Sequence, residues 1–134
     1  MLVALSVATG CGGSKTLTKA QYVSRLNAMC RDFAAREKAI GDPGDLAKNG
    51  PTIADAFEKA IADKVHDLNA PAEIAKQANR MSTLADEQLK VLRGLADAAK
   101  RSDFAKVSEL GSKNVMLNQE SGSIAKELGA TDCD

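Results

Sequence analysis

Apolar side chains recur at spacings of three, four and seven through most of the chain after residue 18, the period of an amphipathic helix. Tyr22, Leu26, Met29, Phe33 and Ile40, with Val23 and Cys30 beside them, form the first stripe and predict a helix from about Lys19 to Ile40. Thr18 and Gln21 have the spacing of a capping box, in which each side chain takes a free N–H of the first turn. Gly41 ends this helix, Asp42-Pro43-Gly44-Asp45 reads as a turn, and the whole of 42–51 is expected to be loop. Thr52 then caps a second helix, about Ile53 to Leu68, burying Ile53, Phe57, Ala60, Ile61, Val65 and Leu68.

Pro71 suits a first helical position and opens a third helix, about Pro71 to Arg101. Its stripe, Ile74, Ala78, Met81, Ala85, Leu89, Leu92, Leu95 and Ala99, is close to a heptad, and Gly94 marks a bend or a close helix contact. After Ser102 a fourth helix covers about Asp103 to Leu128, with Phe104, Val107, Leu110, Leu117, Ile124 and Leu128 facing inward. Gly111, Gly122 and the polar run Asn118-Gln119-Glu120-Ser121 weaken it, so a kink or break is expected between the two glycines. Gly129 stops the helix and leaves an extended tail, Ala130 to Asp134. Exposed i,i+4 pairs are expected at Asp55–Lys59, Asp86–Lys90 and Asp97–Arg101.

Four helices with short links make an all-α fold, an antiparallel up-down-up-down bundle. Composition agrees: alanine is abundant, aromatic residues are 3%, and there is no Trp. Alanine costs no side-chain entropy in a helix, whereas sheets favour β-branched and aromatic side chains. The 134 residues support one domain. Eighteen basic and eighteen acidic residues cancel, so no net charge draws the chain to nucleic acid or to an anionic membrane face.

The first residues change the picture. Leu5-Ser6-Val7 is followed by Ala8-Thr9-Gly10-Cys11, an apolar run, small residues and a cysteine, in the order of a bacterial signal and lipobox. Residues 1–10 are then signal peptide, 11–17 a lipidated tether and 18–134 the bundle. The first basic residue is Lys15, so the basic leader of a secretory signal is missing and residues 1–10 read as the end of a signal only. A lipid on Cys11 would hold the protein on the outer, extracytoplasmic face of the cell membrane.

Three cysteines are an odd number for an exported protein. Lipidation of Cys11 leaves Cys30 and Cys133 as a pair, the alternatives being two free buried thiols or an unrelated partner for one of them. In the bundle, Cys30 lies about 17 Å along the first helix at 1.5 Å per residue. The tail from Gly129 covers a similar distance at about 3.3 Å per residue, enough to fold back to it.

With these features the chain resembles a family of small exported lipoproteins found mainly in actinobacteria. The resemblance rests on Ala8–Cys11, Leu26-Asn27-Ala28-Met29-Cys30, Ala70-Pro71-Ala72-Glu73-Ile74, and the ending Glu127-Leu128-Gly129-Ala130-Thr131-Asp132-Cys133. It implies a lipid anchor, a helical fold and a pairing of the two later cysteines. It brings no established activity and no catalytic residues. Ala8 and the missing basic leader depart from the usual signal.

Little else carries chemistry. His66 is the single histidine, flanked by Asp63 and Asp67, and reads as a solvated surface group rather than a metal ligand. Glu-x-x-His repeats, a haem-attachment motif and a phosphate-binding loop are absent, so no cofactor and no metal is implied. Met29, Met81 and Met116 sit on or beside apolar stripes, as core residues do. Arg25, Arg31 and Arg36 read as a solvated face. Two functions fit: a tethered module that binds a small ligand or an envelope protein, or a structural or envelope-stress lipoprotein with no ligand. An enzyme is disfavoured for want of a catalytic constellation. Segments 42–51 and 111–122 are where packing constrains least, and are the expected places for function.

Overall fold

The computed structural model describes residues 15–133. The expected signal, the expected lipidation site Cys11 and the first residues of the expected tether lie outside the described residues. Within them the chain forms four long helical elements and no strand, packed as an antiparallel bundle. Helix α1 spans Lys19–Ile40, and its capping box is present: Gln21 N–H donates to Thr18 Oγ1 at 3.2 Å and Thr18 N–H to Gln21 Oε1 at 2.9 Å.

The second element departs from expectation. Helix α2 spans Leu46–Phe57, continues through a π-helical turn at Glu58–Ala62, and ends in an α-turn at Asp63–Val65. Its cap is Asp45, whose carboxylate accepts from Lys48 N–H, and not Thr52. The expected loop 42–51 is therefore confined to its first four residues. Pro51 stands inside α2, where it has no N–H to donate to Ala47, a loss that normally breaks a helix. Packing overrides it. Gly50 is buried so closely against Ala96 that a Cβ there would lie 2.9 Å from the alanine Cβ.

The third element opens on a 3₁₀ turn at Ala72–Ile74 rather than directly as an α-helix from Pro71, and α3 then spans Ala75–Lys100. Helix α4 spans Phe104–Leu128, capped by Asp103 on Lys106 N–H, and runs without the break expected between Gly111 and Gly122. Both glycines face open space, so nothing there forces the chain out of its helix. Gly94 does mark a close contact, its Cβ position lying 3.0 Å from Leu110 of α4. Gly129 ends α4 at a positive φ of 85°. The tail is not extended: Thr131–Cys133 forms a 3₁₀ turn laid on α1.

The core is not uniform along the bundle. At the end where the chain enters, Leu17, Tyr22, Leu26, Met81, Ala125 and Leu128 pack together from α1, α3 and α4. In the middle, Met29, Phe57, Val65 and Ala85 join α1, α2 and α3. At the far end, Leu84, Val91, Leu95 and Leu117 join α3 and α4, and the last turns of α1 take no part. Helix α3 packs extensively on both α2 and α4, whereas α1 and α4 meet chiefly through the C-terminal tail. Two residues expected inside are outside: Phe104 is 79% exposed and Met116 is 68% exposed. Phe104 opens α4 at the bundle's tip, where no facing helix reaches it.

Candidate functional site

The gap between α1 and α4 is a cavity of about 280 Å³, walled by every helix and by the tail. Helix α1 supplies Leu26, Cys30, Phe33, Ala34 and Glu37, a single stripe at helical spacing. Helix α3 supplies Met81, Ala85 and Gln88, and α4 supplies Asn118 and Ser121. Phe57, Ile61 and Val65 close the back wall.

Those three residues are four apart, and the π turn between them is what keeps them on one wall. In an α-helix a step of four overshoots a full turn by about 40°, so two such steps would carry Val65 well round from Phe57. The wider π turn takes up that drift. Phe57 then meets Phe33 across the cavity wall as an edge-to-face pair, ring centroids 5.3 Å apart at 89°.

The floor is apolar and the mouth is polar. Gln88, 8% exposed, is the one buried polar residue among those described, and its side-chain Nε2–H donates to Asn118 Oδ1, joining α3 to α4 at the cavity's edge. At the other edge, Asp132 N–H donates to Asn27 Oδ1 at 3.0 Å and the Asp132 carboxylate pairs with Arg31. Cys30 and Cys133 are at disulfide-bonding distance, with Cα atoms 5.2 Å apart, and form part of the wall. Arg31 thus holds the tail rather than standing alone on a solvated face. Glu37 has no ion pair among the described residues.

Elsewhere the expected groups are placed as follows. His66 Nε2 lies 2.9 Å from Asp86 Oδ1, a partner on α3 rather than Asp63 or Asp67 beside it, and its side chain is half exposed. No group of three or more His, Cys, Asp or Glu side chains among the described residues is close enough to hold a metal. Asp86 is accordingly not paired with Lys90. Asp32 takes Arg36 at 2.9 Å and Lys64 at 3.2 Å, and these hydrogen bonds, Arg36's first, hold its carboxyl below the usual range. Met29 and Met81 are buried as expected. Segment 42–51 contributes nothing to the cavity, whereas 111–122 contributes Asn118 and Ser121.

Gln88 and Glu37 carry no catalytic or metal-binding motif that would single them out by sequence. For Gln88 a signal existed: Ile74, Met81, Gln88 and Leu95 fall exactly seven apart in pairs, so a polar amide occupies a core register position. Glu37 has an analogous place, four residues after Phe33 on the apolar stripe of α1. Compared with known proteins, the chain matches no family model, no curated protein and no solved structure. No helix among the described residues is long and apolar enough to cross a membrane.

Proposed function

We propose that this chain is a lipid-anchored extracytoplasmic lipoprotein whose bundle is a binding module, holding a small and largely apolar molecule between α1 and α4. The observation that carries the binding role is the cavity: an apolar interior with a few polar groups converging on its mouth is the usual form of a small-molecule site. The lipobox residues Ala8–Cys11 support the anchor, and the Cys30–Cys133 pair fits an oxidising compartment. Leu17 is buried and its N–H donates to Asn69 O at 2.8 Å, so the bundle begins six residues after Cys11. At about 3.3–3.6 Å per residue, such a tether keeps α1 within roughly 20 Å of the bilayer. The ligand is therefore met close to the membrane.

Two measurements test the two halves. Labelling cells with a radioactive fatty acid should mark the protein and leave a Cys11→Ser variant unmarked; an unmarked native protein contradicts the anchor. Native mass spectrometry of protein taken from its own membranes should show a small-molecule adduct. Ala34→Trp, which fills the exposed mouth of the cavity, should remove it. A bare native protein favours a structural lipoprotein without a ligand, and an adduct indifferent to Ala34→Trp contradicts binding in this cavity.

A further inference from the structure

The lining of the cavity also selects for charge. Among the described residues no Lys, Arg or His side chain lines it, and two carboxylates do, those of Glu37 and Asp132. Arg31 neutralises Asp132, which leaves Glu37 as the charge presented to an occupant. Glu37 follows Phe33 by one helical turn and lines the same cavity as the Phe33–Phe57 ring pair. A carboxylate beside aromatic rings at the mouth of an apolar cavity attracts a cation twice, through charge and through the ring quadrupole. The same site disfavours an anion, since no cationic side chain among the described residues lines it.

We infer that the ligand is a small cationic amphiphile, an amine or ammonium whose apolar body lies against Phe57, Ile61, Val65 and Met81 and whose head pairs with Glu37. The inference rests on the binding role proposed above and narrows it to one ligand class. It excludes free fatty acids and other anionic amphiphiles, whose apolar parts would fit equally well.

The test uses three probes with the same alkyl chain: n-octylamine, protonated at neutral pH, n-octanol and n-octanoate. Each is titrated calorimetrically into the oxidised protein, its Glu37→Gln variant and its Ala34→Trp variant. Octylamine should bind about fivefold or more tighter than octanol, and octanoate more weakly than octanol. Glu37→Gln should bring octylamine close to octanol and leave octanol unchanged. Ala34→Trp should weaken all three. Octanoate binding as tightly as octylamine, or octylamine indifferent to Glu37→Gln, overturns the charge selection while leaving the cavity's binding role intact. Failure of all three probes to bind the native protein removes both. Glu37 lies near the exposed end of α1, so its amide variant is expected to fold, and circular dichroism melts of each variant confirm that before titration.

Discussion

Cys133 in the final turn stands with its Cα 5.2 Å from that of Cys30, in the middle of α1, across 103 residues of sequence. This contact, with Asp132 on Asn27 and Arg31, is the main tie between α1 and the end of α4. Closing so long a loop removes freedom from the unfolded chain worth on the order of 4–5 kcal/mol. Replacing both cysteines with serine should lower unfolding free energy in urea by about 2–5 kcal/mol, and either single replacement should cost nearly as much. A loss below about 1 kcal/mol would show that the tail's other contacts suffice.

Tyr22 is 1% exposed and its phenolic oxygen has no hydrogen-bond partner among the described residues. Burial raises the pKa of that hydroxyl. A buried unpaired polar group costs about 1–3 kcal/mol, while the ring itself packs among Leu26, Ala78 and Leu128. Tyr22→Phe keeps the ring and removes the orphan, so it should leave stability unchanged or raise it by about 1 kcal/mol. A fall of more than about 1 kcal/mol in the urea midpoint analysis would mean that the hydroxyl has an ordered water partner.

The glycines divide by what surrounds them. At Gly50 an added methyl meets both the Cβ and the backbone of Ala96, so Gly50→Ala should cost about 1–3 kcal/mol in spite of alanine's better helix propensity. Gly111 and Gly122 face open space inside α4, and replacing either with alanine should stabilise by about 0.5–1 kcal/mol. Thermal melts of the three variants check this ordering; a stabilised Gly50→Ala would contradict the close contact of α2 with α3.

The same glycines mark where sequence pattern and structure part. The helices, their faces and the return of the tail to α1 were legible because each rests on local periodicity or on chain length. The early start of α2 was not, because Pro51 and Gly50 read locally as breakers, and only Ala96, distant in sequence, turns Gly50 into a packing site. Gly111 and Gly122 misled in the opposite sense: a weak propensity lowers stability without ending a helix. Met116 and Phe104 lie on or beside an apolar stripe yet face solvent, since a stripe predicts burial only where a neighbouring helix covers it. The cavity was illegible for a related reason. It is the space left where α1 and α4 do not meet, and only Gln88 and Glu37, polar residues at apolar register positions, hint at it.

Arg80 clamps Glu120 with two hydrogen bonds, Nε to Oε1 at 2.6 Å and Nη2 to Oε2 at 2.7 Å, tying α3 to α4. The Arg80 hydrogen bond holds the Glu120 carboxyl below its ordinary value, so the folded protein takes up that proton less readily than the unfolded chain. The contribution is complete above the unfolded pKa, about 4.3, and is lost as pH falls through the lower folded value. Stability measured by urea titration should therefore decline on acidification from about pH 5 toward pH 3, modestly, because the pair faces solvent. Glu120→Gln should flatten that decline, leaving the parallel share of Asp32. An unchanged slope in the variant would show that Glu120 does not titrate differently on folding.

The most direct measurement of the central claim follows methyl resonances by NMR while n-octanol is added to the oxidised protein. A ligand in the cavity should shift the methyl groups of Leu26, Ile61, Val65 and Met81 saturably, with one common affinity, and leave Val91 and Leu95 in the distal core unmoved. Shifts absent from those four methyls, or spread evenly over both cores, would contradict a binding site between α1 and α4.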